Sequence, residues 1–243
     1  MNAHEDQVRE AVRRFWATRG RQASTQGQRT NKDRGARSAV TGGRQMNGFV
    51  ELVQHLLAEA GVPATAMYST AKLELPGWFR AEKKWDLLVL HEDRLLASIE
   101  FKSQVGPSFG NNFNNRSEEA IGSATDIWAA YREGAFTPSS RPWLGYLMLL
   151  EDCPASRTPV KVQRPHFPVF REFEGASYVK RYELLIQKLL RDRLYDGACL
   201  LLSQSGGGRR GEYSEPHPEL AFTRFVTPLV AHATALLRPQ TGR

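Results

Sequence analysis

Two short apolar segments separated by a polar turn, Trp85-Asp86-Leu87-Leu88-Val89-Leu90 and Leu95 to Lys102, constrain the fold more than any other part of the chain. In the second, Leu95, Ala97, Ile99 and Phe101 alternate with Leu96, Ser98, Glu100 and Lys102. A β-strand sends successive side chains to opposite faces, so one set packs into a core while the other presents Glu100 and Lys102. Directly opposed residues of an antiparallel pair share a face, so the turn decides where Asp86 points. An uninterrupted hairpin with a two-residue loop at Glu92-Asp93 sets Asp86 opposite Ile99 and drives its carboxylate into the core. A three-residue loop, Glu92-Asp93-Arg94, sets it opposite Glu100. We therefore expect an odd-length loop or a bulge. Two carboxylates and an ammonium then converge on one face, an arrangement suited to holding Mg²⁺ against a phosphodiester. The same acid-x-Lys spacing recurs at Glu82-Lys83-Lys84, but in a charged run without alternation, so only the Glu100 copy is read as a site.

With 243 residues and 41% hydrophobic content, the chain can bury a full core. Its two cysteines, Cys153 and Cys199, stand far apart and read as buried thiols rather than as a zinc site or a disulfide framework. The six histidines form no HxH or HxxxH pair, and no phosphate-binding GxxxxGK[ST] loop occurs. No apolar run approaches the length of a membrane span, and a soluble, cytoplasmic protein is expected. The net charge of +7 is unevenly placed, since residues 1–48 hold ten Arg and Lys against four Asp and Glu. Thr18 to Arg44 is poor in apolar residues and reads as a basic arm suited to a polyanion, where each phosphate contact releases counterions. Residues 1–45 are thus expected to form an N-terminal helix and arm, and residues 46–243 a single domain.

Helical spacing predicts a short helix from His4 to Ala17 that ends at Gly20, and a second over Asn47–Glu59 with Phe49, Val50, Val53, Leu56 and Leu57 inward. A strand is expected over Ala66–Glu74, ahead of the hairpin. Asn115 or Ser117 is expected to cap a long helix through Arg132, after an irregular loop from Gly106 to Asn115. A buried strand follows at Trp143–Leu150, then a proline-rich stretch over 153–176, a helix at Tyr178–Leu194, a strand at Ala198–Ser203 and a last helix at Phe222–Leu236. This order describes an α/β core, a mixed β-sheet with helices on both faces.

A core of this order bearing Asp, then Glu-x-Lys a hairpin later, resembles the PD-(D/E)xK nuclease superfamily, with a restriction-endonuclease-like fold. Trp85 stands before Asp86 where that pattern has Pro. The run Glu100-Phe-Lys-Ser-Gln-Val-Gly-Pro-Ser-Phe-Gly-Asn-Asn-Phe-Asn-Asn-Arg-Ser-Glu-Glu119 and most of the remaining chain resemble the XhoI family of type II restriction endonucleases. The resemblance implies Mg²⁺-dependent cleavage of double-stranded DNA at CTCGAG with 5′ overhangs, and 5′-phosphate and 3′-hydroxyl ends are expected. A palindromic target is matched by a two-fold protein, so a homodimer is expected, with a separate methyltransferase protecting the host DNA. Repair or structure-specific nucleases share such a core, and a non-catalytic basic DNA-binding protein is the non-enzyme alternative.

Within this reading Asp86 and Glu100 are carboxylate ligands, and the backbone carbonyl of Phe101 is a third ligand implied by the resemblance. Lys102 would contact the attacking water or the scissile phosphate. Glu51, on the first core helix, is a further candidate because some nucleases of the superfamily draw a carboxylate from there. For DNA contact the candidates are Gln104, one alternation beyond Lys102, the four asparagines Asn111, Asn112, Asn114 and Asn115, and Arg209 and Arg210 on the glycine-rich loop Ser205–Gly211. Asparagine pairs bidentately with adenine, and arginine reads guanine or binds phosphate.

Overall fold

The computed structural model describes residues 4–27 and 44–237. Most of the predicted basic arm, with Arg29, Lys32, Arg34 and Arg37, lies outside the described residues. A five-stranded sheet is built from β1 (Met67–Tyr68), β4 (Leu87–His91), β5 (Arg94–Gln104), β6 (Trp143–Glu151) and β7 (Gly197–Ser203), in the order β1-β4-β5-β6-β7. The β1–β4 and β4–β5 pairs are antiparallel and the β5–β6 and β6–β7 pairs parallel, so the sheet is mixed. The connections explain this: β4 and β5 are joined by a tight turn, whereas a parallel return needs a helical crossover. Helix α3 (Phe109–Arg132) links β5 to β6, and α4 (Pro154–Arg157) and α5 (Tyr178–Arg191) lie between β6 and β7.

Both faces of the sheet are covered. One buried cluster joins α1 (Glu5–Gly27), α2 (Asn47–Glu59) and α7 (Phe222–Leu237) to Leu87, Val89, Ala97, Ile99 and Phe101. The other joins α3 and α5 to Leu88, Tyr146, Met148 and Leu200. Strands β6 and β7 are apolar almost throughout because neither face meets solvent. This is the expected α/β architecture.

The β4–β5 hairpin meets the expected constraint by the bulge rather than by the longer loop. Glu92 and Asp93 form a two-residue turn with φ of 49° and 60°, the left-handed pair of a type I′ hairpin. The register then slips, with Leu90 opposite Leu95 but Val89 opposite Ala97, which leaves Leu96 as the extra residue. Leu87 opposite Ile99 places Asp86 next in line with Glu100. The bulge also breaks the predicted alternation. Leu95 joins the α3 side while Leu96 and Ala97 both join the α2 side. Nor does the other face present its charges openly: Ser98 and Glu100 are buried beneath α3 and α5.

Several local expectations yield to tertiary packing. The strand expected over Ala66–Glu74 pairs with β4 only at Met67–Tyr68, and Lys72 turns left-handed at φ 58° before a separate hairpin of β2 (Glu74–Pro76) and β3 (Glu82–Lys84). Thus the charged run around Lys83 is a strand after all. Helix α1 continues past Gly20 to Gly27. Helix α3 starts at Phe109, so the asparagines lie on its first turns and not in a loop. Phe109 stacks on Tyr178 and Phe113 meets Tyr182 edge-on, and this aromatic i, i+4 pair outweighs the modest helix cost of Asn. The glycine-rich loop holds a short helix, α6 (Ser205–Gly208), seated against α1.

That seat depends on a glycine. Trp16 of α1 donates its indole N–H to Ser203 Oγ at 2.9 Å, and the hydroxyl donates onward to the Glu212 carbonyl at 2.7 Å. A Cβ on Gly208 would collide with the Trp16 ring and with Ser203 Oγ. Gly208→Ala is expected to destabilise the protein by about 1–3 kcal/mol through overpacking, read from the urea midpoint.

Candidate active site

Strands β5, β6 and β7 run parallel and end together, and β4 begins only at Leu87, so the edge of β5 beyond Ile99 is free for side chains. Asp86 fills that gap. Its Oδ2 accepts the Phe101 backbone N–H at 2.8 Å, continuing the ladder with a carboxylate where β4 has stopped. Lys102 Nζ stands 3.6 Å from the same oxygen and 3.3 Å from Glu100 Oε2. Lys83, from β3, closes on Glu100 Oε1 and rests 4.4 Å from the centre of the Trp85 ring. The predicted triad of Asp86, Glu100 and Lys102 is therefore assembled, with a second lysine added.

Burial gives the group its electrostatic character. The Glu100 side chain is 1% exposed, against 35% for Asp86. Burial alone raises a carboxylic acid, yet the Lys102 and Lys83 ammoniums overcome it and hold Glu100 below the usual carboxylate range. Burial likewise lowers Lys102, but Glu100 and Asp86 hold it above the ordinary lysine value against opposition from Arg116. Lys102 is thus a cation at neutral pH in this state. Tyr146 of β6 is the register partner of Glu100, and its buried hydroxyl has no hydrogen-bond partner among the described residues. Burial, reinforced by Glu100, keeps that phenol protonated.

Both Glu100 oxygens are buried and are met by the Lys83 and Lys102 ammoniums. Together with Asp86 they form a hard oxygen set of the kind Mg²⁺ takes, one or two carboxylates with water and phosphate completing the shell. No cluster of three His, Cys, Asp or Glu occurs among the described residues, so a metal here would rely on these two carboxylates and backbone oxygen.

The other candidates are dispersed. Glu51 is half exposed on α2 and pairs with Arg14 of α1 at 2.6 Å, so its carboxylate is already engaged away from Glu100. Gln104 is buried and donates to the Val105 carbonyl at 2.9 Å, so it is not displayed for contact. Asn111, Asn114 and Asn115 are exposed on α3 and Asn112 is half-buried. Arg209 and Arg210 are exposed after α6, with Arg210 paired to Glu212 at 2.8 Å.

Lys83, Tyr146 and Arg116 are the site neighbours that sequence reasoning missed. Lys83 belongs to the acid-x-Lys copy set aside for want of alternation. Glu82 is indeed exposed, but pairing of Leu75 with Lys83 turns the lysine toward Glu100. Tyr146 lies in an apolar run that reads as plain core. Arg116 pairs with Glu119 while its Nε is buried without a hydrogen bond.

Glu100 is depressed, so its ionised form stabilises the fold above the ordinary carboxylate value, and this contribution is lost as pH falls through the folded value. Lys83→Met removes one of its two cations. The acid-unfolding midpoint is expected to move to higher pH, with a loss near neutrality of about 1–3 kcal/mol, less than for a fully orphaned buried charge because Lys102 remains. Circular dichroism melts across an acidic pH series test this.

The model of the XhoI restriction endonuclease family matches residues 25–215. The chain is 54% identical over 210 residues to the type II restriction enzyme BstVI of Geobacillus stearothermophilus, covering 84% of this chain and 94% of that protein. It is 45% identical over 185 residues to the type II restriction enzyme XhoI of Xanthomonas vasicola (75% and 74%), and 48% identical over 165 residues to AbrI of Azospirillum brasilense (68% and 74%). No solved structure matches it. With buried Glu100 beside Asp86 and Lys102 on the central strand of a mixed sheet and a family match across most of its length, the chain belongs to the XhoI family of restriction endonucleases.

Proposed function

We propose that this restriction endonuclease is a type II enzyme that cuts both strands of DNA at CTCGAG in a Mg²⁺-dependent reaction, leaving 5′ overhangs with 5′-phosphate and 3′-hydroxyl ends. The observation that carries the chemistry is the buried, ionised Glu100 beside Asp86 and Lys102 at the free edge of β5. The target sequence is the one the family resemblance implies.

Asp86 and Glu100 would hold the metal. The Phe101 carbonyl is a third ligand, since a residue's N–H and C=O face the same strand edge and the Phe101 N–H is already turned to Asp86. When bound, Mg²⁺ polarises the phosphate and acidifies its water. Lys102, protonated and held between both carboxylates, places positive charge where the pentavalent phosphorane builds negative charge, and orients the attacking water by donation. The α3 and α5 cover over Glu100 excludes bulk water and strengthens these interactions. Asn111, Asn112, Asn114 and Asn115 on α3 and Arg209 and Arg210 beyond β7 are the proposed DNA contacts, both groups following the strand ends at the site. Gln104 and Glu51 support these elements from within or from the flank. A homodimer would match the palindrome, and in a bacterial cytoplasm a methyltransferase would protect the host's own sites. No helix among the described residues is long and apolar enough to cross a membrane.

Plasmid digestion with Mg²⁺ tests the reading. Discrete fragments whose ends map within CTCGAG are expected, and a smear or branch-dependent nicking overturns sequence-specific cleavage. Asp86→Ala and Lys102→Ala are each expected to reduce cleavage by roughly 100-fold or more, with duplex affinity held within a few-fold. Unchanged cleavage removes the residue from the mechanism.

A further inference from the structure

The β2–β3 hairpin stands outside the main sheet, and its tip is spent on an exposure that a fold does not otherwise need. Trp78 is 55% exposed and Phe79 73% exposed, side by side on the five-residue turn 77–81. A floppy loop could tolerate such residues, but this turn is held. Asp126 of α3, itself 3% exposed, accepts the backbone N–H groups of both Trp78 and Phe79 at 2.8 Å through one carboxylate oxygen. Its other oxygen takes the Arg80 guanidinium at 2.6 Å. Gly77 permits the approach, since a Cβ there would strike Asp126 and Arg80. A carboxylate buried on a helix is therefore committed wholly to fixing two solvent-facing aromatics.

The far strand of the same hairpin brings Lys83 onto Glu100, so the tip and the catalytic carboxylate share the α3 side of the sheet. Around the aromatic pair Lys72, Arg80 and Lys84 are exposed alongside Glu74 and Glu82, with Arg80 held by Asp126, while Lys83 turns inward to Glu100. Flat apolar rings displayed on the hairpin that also reaches Glu100 suit nucleic acid, where bases or sugars meet the rings and the exposed Lys72, Arg80 and Lys84 can meet phosphates. A second copy of this chain is the rival occupant that the test separates, since protein contacts also favour Trp, Phe and Arg; the hairpin's direct reach to Glu100 favours DNA.

We propose that the Gly77–Arg80 tip is a preformed DNA-contacting arm, with Trp78 and Phe79 seated against a base step of the duplex beside the scissile phosphate. It needs DNA as the substrate of this family, and not the particular target sequence. Such a surface adds to affinity through stacking or groove contact rather than through charge, and so its contribution varies little with salt.

The test uses the full chain with Ca²⁺ and a duplex spanning the cleavage site mapped for the wild-type enzyme. Trp78→Ala/Phe79→Ala is expected to melt like the wild type and to bind roughly 10- to 100-fold more weakly, with an unchanged slope of affinity against salt. Hydroxyl-radical footprinting of the unaltered protein is expected to show Trp78 and Phe79 protected by the duplex. Unchanged affinity with no protection overturns the arm. So does an affinity loss accompanied by dissociation to monomers in sedimentation, which would assign the tip to contact between copies. Loss of CTCGAG specificity in the wild type with the footprint intact would overturn the proposed target and leave the arm standing.

Discussion

An ionised carboxylate sealed inside the protein is the constraint on which the site depends. Glu100 is almost fully buried on the central strand, where an unpaired charge would cost several kcal/mol. Its compensation comes from two lysines of different origin, Lys102 on the same strand and Lys83 on a hairpin outside the sheet. The peripheral hairpin is therefore part of the electrostatics of the centre. The proposed Mg²⁺ would draw on the same carboxylates, with the lysine stems yielding to it and then meeting phosphate.

The bulge at Leu96 is the geometric counterpart. A type I′ turn matches the twist of the strands and is favoured by two residues that accept positive φ, but alone it would set Asp86 against the core. One extra residue corrects the face, and β4 starts one residue late so that Asp86 can take the Phe101 N–H with its side chain. Strand end, bulge and carboxylate form one arrangement. The α3 helix then begins a few residues beyond β5, bringing Asp126 to the hairpin tip and its asparagines to the strand ends.

The triad was legible because period-2 alternation and a countable turn are local properties of a sequence. Lys83 was not, because its orientation depends on pairing with Leu75 across a hairpin that no alternation announces. The asparagine run read as a loop for a sound reason, since Asn favours turns; what the local pattern could not weigh was the stacking of Phe109 and Phe113 on a helix more than sixty residues away. The glycine run reads as a loop, whereas Gly207 and Gly208 are small because they lie buried against neighbouring side chains, Glu212 and Trp16.

By itself, the sequence determined the strand carrying Glu100 and Lys102, the need for a register correction ahead of it, the mixed α/β order and the family resemblance, since all of these rest on periodicity or on contiguous residues. Tertiary structure decided that the charged face is closed, that Lys83 shares Glu100, that Gln104 turns inward and that Glu51 is held by Arg14. It also decided that Trp78 and Phe79 are displayed instead of packed. Burial and charge pairing are properties of groups brought together from distant parts of the chain, and the free energy of each depends on what the others do.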